Sequence, residues 1–343
     1  MSTISVDPRH NLPITKNHHQ HGVEEEIEGL IKVTNDGRVE RPAIIPTVPC
    51  TRALDPHSLT AKDVLIDKSS NTWGRIYIPS FPTETQLPLL VYFHGGGFCL
   101  GSASWSCYHE FLANLASKSN CVVVSINYRL APENRLPAAY EDGFNSLMWV
   151  KHQALNPSSE HRFWLNRCNF SSLFLAGDSA GANIAYHVTS RLAAINDSIL
   201  KPLRLKGAIL IQPFFGGESR TGSEKYAAQP PNSALTLSAS DSYWRLSLPL
   251  GANRDHPWCN PLANGTAKLR DLRFPAMMVC VSEMDILRDR DLEFCNVLVS
   301  LGKKVETTMY RGVGHAFQVL HNSALSHART QEMVSHIKTF INQ

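Results

Sequence analysis

The sequence contains no apolar run long enough to cross a lipid bilayer. Its longest runs, such as residues 207–211, fall far short of the roughly 20 apolar residues that a membrane-spanning helix needs. Excess charge of one sign is also missing, because 33 Lys and Arg residues stand against 30 Asp and Glu residues, and no basic run alternates with aromatics. We therefore expect neither a membrane span nor a nucleic-acid partner. Residues 1–20 are polar and lack the apolar core of a signal peptide, so we do not expect export.

Cysteine pairs of the C-x-x-C type are absent as well, although the chain has 8 cysteines. Scattered cysteines without an export signal predict free thiols in a reduced, cytoplasmic protein. Cys99 and Cys107 lie near a glycine-rich segment, and the sequence leaves open whether they are reactive. His18, His19 and His21 form a cluster without a cysteine or carboxylate at ligand spacing, so we expect no metal site.

Apolar strand patterns alternate with helical patterns over most of the chain from about residue 73 onward. Repeated alternation predicts a mostly parallel sheet with helices on both faces, in which functional sites lie beyond the carboxyl ends of the strands. With 343 residues, 43% of them hydrophobic, the chain is long enough to bury a large core. The predicted strands are 75–78, 87–93, 121–128, 173–176, 205–214, 276–282 and 304–310, and the predicted helices are 106–117, 138–152, 180–194, 288–301 and 324–341.

The most informative segment is an apolar strand that ends at G-x-S-x-G and continues into an alanine-rich helix. This pattern is typical of a nucleophile elbow, in which a sharp turn exposes Ser179 and leaves no room for side chains at Gly177 and Gly181. The helix that begins near Ala180 adds unpaired N–H groups and the positive end of its dipole. Chance alone produces the pentapeptide in roughly one chain in ten of this length, so it needs support from other motifs.

A second glycine motif supplies that support. The predicted strand 87–93 ends in His94 followed by Gly95, Gly96 and Gly97. Successive glycine N–H groups can point at one place, which is how an oxyanion hole for a negatively charged intermediate is built. We interpret His94 as a residue that orients this loop rather than as a base.

The remaining partners follow the serine in the order acid, then histidine. Asp285 comes just past the end of a predicted strand, and His315 lies between glycines after the last predicted strand. Glu283, Asp289 and Asp291 compete for the role of the acid, but the last two fall in a helical pattern. We therefore predict Asp285 as the acid, by its position after the strand.

Two segments do not fit the alternation of strands and helices. Residues 23–67 form an N-terminal extension, after a tail over residues 1–22 whose composition predicts disorder. Residues 216–258 form a long insert, in which a capping-type Ser240 or Asp241 before an aromatic run predicts a short helix. The two segments are predicted to form a cap or lid over the serine, and the alternative is that they only cover the edges of the sheet.

Five motifs, spread over the chain from about residue 25 onward, resemble those of the plant carboxylesterases of the hormone-sensitive-lipase group. The resemblance implies an α/β-hydrolase fold for residues 23–343, a cap that includes the N-terminal segment, and no cofactor. The motifs are H-G-G-G-F at 94–98, N-Y-R-L-A-P-E at 127–133, L-P-A-A-Y-E-D at 136–142, G-D-S-A-G-A-N-I-A at 177–185 and G-x-G-H-A-F at 312–317.

The same resemblance implies functional roles for individual residues. It assigns catalysis to Ser179, Asp285 and His315, and it adds Ala180 to the glycine N–H donors of the oxyanion hole. In the related gibberellin receptors an apolar residue replaces the triad histidine, so the presence of His315 favours catalysis.

These observations favour a serine carboxylesterase that acts on a small-molecule ester, with no obligate protein partner evident. Two alternatives stay open: a hormone receptor with an intact but idle triad, and a lyase or cyclase that uses Tyr128 or His315 for proton transfer. The candidate walls of the pocket, each of which could instead belong to the core, are Phe98, Tyr128, Phe214, Phe215, Tyr243, Trp244 and Phe317, and they favour an apolar or aromatic ester.

Overall fold

Eleven strands are present in the part of the chain that the computed structural model describes, which comprises residues 23–51, 59–80, 85–195, 197–229, 233–320 and 322–343. The expected tail over residues 1–22 and its histidine cluster lie outside these residues. The strands are β1 Val23–Ile27, β2 Ile31–Thr34, β3 Val39–Glu40, β4 Leu59–Asp67, β5 Thr72–Pro79, β6 Leu87–Phe93, β7 Val122–Asn127, β8 Cys168–Asp178, β9 Leu205–Ile211, β10 Ala276–Ser282 and β11 Val305–Tyr310.

Eight of the strands form the central sheet in the order β11-β10-β9-β8-β6-β7-β5-β4. All pairs from β11 to β7 are parallel, whereas β5 and β4 pair antiparallel at one edge. The mostly parallel sheet predicted from the sequence is therefore confirmed. Its carboxyl edge carries the loops that follow β6, β8, β10 and β11, which contain the glycines at 95–97, Ser179, Asp285 and His315, respectively.

Helices cover both faces of this sheet because side chains alternate along each strand. On β6, Leu89 and Val91 face the core shared with α2 and α4, whereas Leu90 and Tyr92 face the core shared with α1 and α10. No helix in the described residues is long and apolar enough to cross a membrane. The helices are α1 Ser106–Ser119, α2 Ala138–Leu155, α3 Arg162–Leu165, α4 Ala180–Ala194, α5 Gly222–Tyr226, α6 Leu237–Ser247, α7 Ala267–Asp271, α8 Arg288–Ser300, α9 Phe317–Leu320 and α10 Ala324–Ile341.

The extension assigned to residues 23–67 needs a correction at its end. Its last part is β4, an edge strand of the central sheet that pairs antiparallel with β5. An edge strand with one exposed face alternates polar and apolar residues, so it lacks the continuous apolar run by which the inner strands were identified. We call the described parts of residues 23–51 and 216–258 the cap.

The cap contains a small antiparallel sheet and two helices. Strands β1, β2 and β3 form the sheet, and β1 lies against α6. The helix predicted near Ser240 is α6, which begins earlier, at Leu237. Its N-cap is Thr236, whose hydroxyl accepts the N–H of Ala239.

Candidate active site

Ser179 lies in the turn between β8 and α4 and has a left-handed backbone, with φ 52° and ψ −119°. A Cβ atom on Gly181 would overlap the carbonyl of Phe93, and one on Gly177 would overlap the backbone of Gly181. Both glycines are therefore required, because β6 passes directly against the turn. The Ser179 N–H donates to the carbonyl of Ile211 at 2.8 Å, which fixes the turn to the end of β9.

The serine, histidine and acid predicted from the sequence lie together at the carboxyl edge. Ser179 Oγ donates to His315 Nε2 at 2.9 Å, and His315 Nδ1 donates to Asp285 Oδ2 at 2.7 Å. The other carboxylate oxygen of Asp285 accepts the N–H of Leu287 at 3.0 Å. All three residues are at most 6% exposed. A histidine with Nδ1–H held by a carboxylate presents an unprotonated Nε2 to the serine, which is the arrangement a general base requires.

The carboxylates that competed with Asp285 lie in other environments. Glu283 Oε2 accepts the N–H of Gly312 at 2.8 Å, and Asp289 Oδ2 accepts the N–H of Ser223 at 2.6 Å. Asp291 is buried on α8, and this burial raises the pKa of its carboxyl well above the usual value. The geometry therefore favours the acid that was predicted from its position after the strand.

The oxyanion loop, residues 94–98, presents N–H groups next to the serine. Those of Gly96 and Gly97, together with that of Ala180, donate to no acceptor among the described residues. The N–H of Gly95, in contrast, donates to Tyr108 Oη at 2.8 Å. Including Gly95 among the predicted oxyanion donors was therefore wrong, because its N–H is already used inside the protein. Gly96 and Gly97 have φ values of 112° and 59°, which favour glycine at both positions.

The buried carboxylate of Asp178 is hydrogen-bonded to this loop. Asp178 Oδ1 accepts from Tyr92 Oη at 2.7 Å and from the Gly95 N–H at 3.1 Å, and its Oδ2 accepts from Tyr108 Oη at 3.0 Å. Burial raises the pKa of Asp178 to about 6, against the opposing effect of the tyrosine hydrogen bonds. Asp178 is therefore ionised at neutral pH and accepts three hydrogen bonds. No role was predicted for Asp178, although an acid at the end of an apolar strand was a usable signal.

His94 is held inside the oxyanion loop by contacts with Gly95 and Tyr128. Its Nδ1 donates to the carbonyl of Gly95 at 2.8 Å, and its ring stacks on Tyr128 with 4.3 Å between centroids. Tyr128 in turn donates to the His94 carbonyl at 2.8 Å. Burial lowers the pKa of His94 to about 4, so the ring is neutral near pH 7.

A cavity of about 260 Å³ lies over Ser179 and His315. Residues from both parts of the cap contribute to its wall, and apart from Tyr243 none of these cap residues was predicted. A larger cavity of about 560 Å³ lies at the opposite end of the strands and contains none of the three catalytic candidates. The apolar side chains of the smaller cavity are Leu30, Ile44, Ile45, Leu100, Trp105, Phe214, Leu235 and Leu320.

Of the predicted pocket walls, Phe214 and Tyr243 line this cavity. Their neighbours in sequence, Phe215 and Trp244, point the other way: Phe215 packs on Phe294, and Trp244 stacks behind Phe214 at 4.5 Å. In each of these two pairs, therefore, only one ring lines the cavity. The predicted wall residues that belong to the core instead, each at most 2% exposed, are Phe98, Tyr128, Phe215, Trp244 and Phe317.

Ion pairs tie the cap to the rest of the molecule. Arg41 donates to the carbonyl of Cys99 at 2.7 Å and binds the carboxylate of Glu133 through two nitrogens. Within the cap, Arg245 on α6 binds the carboxylate of Glu25 on β1 at 2.7 and 2.8 Å. These contacts join residues that are far apart in the sequence and hold the cavity wall in place.

Comparisons with known proteins agree with this architecture. The alpha/beta hydrolase fold family matches residues 90–319. The chain is 49% identical to probable carboxylesterase 6 of Arabidopsis thaliana over 326 residues, which cover 94% of this chain and 93% of that protein. It is 34% identical to a 2-hydroxyisoflavanone dehydratase of Glycyrrhiza echinata, with 93% of this chain and 96% of that protein covered.

Two solved structures share this fold. An esterase from Pyrobaculum calidifontis superposes with a TM-score of 0.66 at 26% identity, covering 81% of this chain and 84% of its own. A second, from a study of two fungal esterases of Rhizomucor miehei, has a TM-score of 0.69 at 26% identity and covers 85% and 84%. The chain therefore belongs to the alpha/beta hydrolase fold family, in the group that includes the plant carboxylesterases.

Proposed function

We propose that the protein is a serine carboxylesterase that hydrolyses small, neutral carboxylic esters through an acyl-enzyme. The observation that carries the proposal is the hydrogen-bonded series Asp285, His315 and Ser179, next to three N–H groups without a described acceptor. Acyl transfer requires a serine beside a base, and donors beside the developing oxyanion. The relatives that are named carboxylesterases support the same class of reaction.

In the first half of the reaction, His315 Nε2 takes the proton of Ser179 as Oγ attacks the ester carbonyl. The carbonyl oxygen becomes negatively charged and accepts hydrogen bonds from the N–H groups of Gly96, Gly97 and Ala180. Asp285 keeps the imidazole in the correct tautomer and stabilises its positive charge. The imidazolium then gives its proton to the departing alcohol, which leaves the acyl group on the serine.

In the second half, water replaces the alcohol. His315 takes a proton from this water, whose oxygen attacks the acyl carbon of the ester on Ser179. The same N–H groups hold the second oxyanion, and His315 returns the proton to Oγ as the acid leaves. Both halves therefore depend on the same distance between His315 and Ser179.

The cavity supports the proposed substrate class. Its volume of about 260 Å³ lies just below the range of about 300–1,000 Å³ that is common for drug-sized ligands. Because aliphatic and aromatic side chains form most of its wall, the acyl or alcohol group that it takes is apolar and small. For the compartment we propose the cytoplasm, with support from the free thiols of all eight cysteines, each of which lies in the described residues.

The test is hydrolysis of p-nitrophenyl esters from acetate to octanoate by the wild type, by Ser179→Ala and by Ser171→Ala. Ser171 is an exposed serine near the other end of β8, so its variant controls for the loss of a hydroxyl on the same strand. We expect Ser179→Ala to lose a factor of about 10⁴ or more in kcat, and Ser171→Ala to keep its activity. We also expect the short esters to be the better substrates.

Folded wild type without turnover on any ester contradicts the proposal. The dehydratase relative makes a lyase the second candidate, because its similarity covers as much of this chain as that of the esterase relative. Product analysis separates the two reactions, since ester hydrolysis releases an acid and an alcohol and dehydration releases water. Tight binding of a small molecule without either product would instead favour a receptor.

A further inference from the structure

Strained backbone is concentrated at the active site. A left-handed backbone in a residue other than glycine or asparagine costs energy and persists where the surrounding structure enforces it. Gln212 is such a position, and its side chain has no part in the mechanism above. The non-glycine residues with positive φ are Asn71 and Asn120, which are asparagines in turns, and Phe98, Ser179, Gln212 and Ala316, which surround the site.

Gln212 connects two structural elements at the carboxyl edge of the sheet. It follows the last residue of β9, is fully buried and has a φ of 48°. Its side-chain Nε2 donates to Ser282 Oγ at the end of β10, at 2.5 Å. Its Oε1 accepts the N–H of Ala316 at 2.7 Å, so both ends of the amide are bonded.

The loop that Gln212 reaches is the one that carries the base. This His315 loop, residues 311–316, lies between β11 and α9 and contains Gly312 and Gly314. Glycines give a loop many accessible conformations, so its geometry has to be fixed by contacts from outside. The bond from Ala316 to Gln212 acts on the residue directly after His315.

The residue before Gln212 makes the matching contact on the other side of the reaction. The carbonyl of Ile211 accepts the N–H of Ser179 at 2.8 Å. Two consecutive residues therefore hold the backbone of the nucleophile and the backbone beside the base. This arrangement fixes the separation of Ser179 Oγ and His315 Nε2 from one short segment at the end of β9.

We propose that Gln212 is a positioning residue, which holds His315 at hydrogen-bonding distance from Ser179 through the N–H of Ala316. The proposal rests on the proposed function, because it concerns the proton transfer between these two residues. Removing the amide would leave two buried polar groups, the Ala316 N–H and the Ser282 hydroxyl, without their partner. The loop would then relax, and a displacement of about 1 Å costs on the order of 100-fold in rate.

Three variants test the proposal. Gln212→Met keeps the size of the side chain but removes both hydrogen bonds. Gln212→Glu keeps an acceptor for the Ala316 N–H, and the Ser282 hydroxyl can turn to donate to the carboxylate. Ser282→Ala removes the far anchor and leaves the bond to Ala316 in place.

For each variant, kcat and KM for a p-nitrophenyl ester are measured per folded molecule, with hydrogen exchange of the amides in residues 311–320. We expect Gln212→Met to lose about 10- to 100-fold in kcat with little change in KM, and its Ala316 amide to exchange faster. Gln212→Glu should recover most of the kcat, and Ser282→Ala should fall between the wild type and Gln212→Met.

Two results overturn the proposal in an active enzyme: wild-type kcat in Gln212→Met, or Gln212→Glu as slow as Gln212→Met. If the wild type has no esterase turnover, the proposed function fails while the exchange measurement still decides the positioning role. Unchanged exchange of the Ala316 amide in Gln212→Met then overturns it. A variant that unfolds is replaced by Ser282→Ala, for which faster exchange in the His315 loop is the expected result and unchanged exchange the contradicting one.

Discussion

The catalytic edge of the sheet and the contact between α6 and β1 in the cap are held by different kinds of interaction. At the edge, Ser179, Asp285 and His315 are buried, and short hydrogen bonds join them to each other and to the ends of the strands. In the cap, the pair of Arg245 and Glu25 holds α6 to β1, and 58% of the Arg245 side chain is exposed. Buried hydrogen bonds fix geometry to tenths of an ångström, whereas exposed ion pairs contribute little energy.

This difference predicts that the rate of the chemical step and the binding of the substrate depend on different regions. Changes at the catalytic edge should lower kcat, because the reaction depends on distances that no other contact can restore. Changes in the cap should alter KM and substrate range, because the cap lines the cavity and contributes no catalytic group. A variant in either region that changes both kcat and KM would contradict this division between the two regions.

The largest loss is expected from Asp285→Asn. The amide keeps the size of the side chain but favours the tautomer of His315 with the proton on Nε2, which cannot accept the serine proton. We expect kcat to fall by a factor on the order of 10⁴, measured with p-nitrophenyl esters. The matched control is Glu283→Gln, which lies two residues away and still accepts the N–H of Gly312. Equal losses in the two variants would show that the acid has been misidentified.

A smaller loss is expected from Gly97→Ala. Its φ of 59° strains alanine, and the new Cβ would also overlap the ring of Tyr243 and displace an N–H donor of the oxyanion hole. Loss of one such donor costs about 10² to 10³ in kcat. Gly302→Ala is the control, because Gly302 has a φ of 75° and nothing within 4 Å of the new atom. If both variants keep wild-type kcat, Gly97 is not an oxyanion donor.

The contrast between edge and cap also explains which parts could be predicted from the sequence. Ser179 and Asp285 each follow an apolar strand, and His315 follows an alternating strand, so local sequence was sufficient to place them. The central sheet followed from the alternation of strands and helices, except for its edge strand β4, because one face of β4 is polar. The short strands β1, β2 and β3 of the cap were not predicted either.

The cavity wall could not be predicted in the same way. Leu30, Ile44 and Leu235 line the cavity over the serine although they are separated by up to 205 residues. A local sequence pattern does not predict contacts between residues so far apart. Aromatic side chains next to the motifs were the available signal, and it misled, since Phe215 and Trp244 pack in the core. The role of Gln212 was not predicted either, although a lone polar residue after an apolar strand is visible in the sequence.

Asp178 gives the catalytic edge a dependence on pH that is opposite in sign to that of Glu25 in the cap. Burial raises the pKa of this carboxyl from 3.8 to about 6, so between these values the folded protein binds more protons than the unfolded chain. The contribution of Asp178 to stability therefore falls as pH rises from about 4 to about 6 and is constant above, a change of about 3 kcal/mol by linkage.

The measurement is the free energy of unfolding in urea at several pH values for the wild type and for Asp178→Asn. The difference between the two isolates Asp178 from the other carboxylates, most of which act in the opposite direction. We expect the wild type to lose stability relative to Asp178→Asn across this window. A difference that does not change with pH would mean that the carboxyl has an ordinary pKa.

The smallest effect is expected from Arg245→Met in the cap. The hydrogen bond from Arg245 lowers the pKa of Glu25. The pair therefore stabilises the fold at pH values above the ordinary carboxyl pKa, and this stabilisation is lost as the pH falls through the lowered pKa. Exposed pairs contribute roughly 0.2–1 kcal/mol, and we expect a loss in this range at pH 7. Because β1 and α6 support the cavity wall, KM should rise severalfold while kcat stays unchanged.

Arg191→Met is the matched control for that variant, because Arg191 pairs with Glu141 in a similarly exposed bridge outside the cap. It should lose comparable stability without a change in KM. Since salt screens exposed charges, wild type in about 1 M NaCl should approach the KM of Arg245→Met. A fall in kcat in Arg245→Met alone would mean that the cap also positions the catalytic groups. The exposed ion pair would then act through the wall of the cavity on the distance between His315 and Ser179, and the two regions would form one catalytic unit.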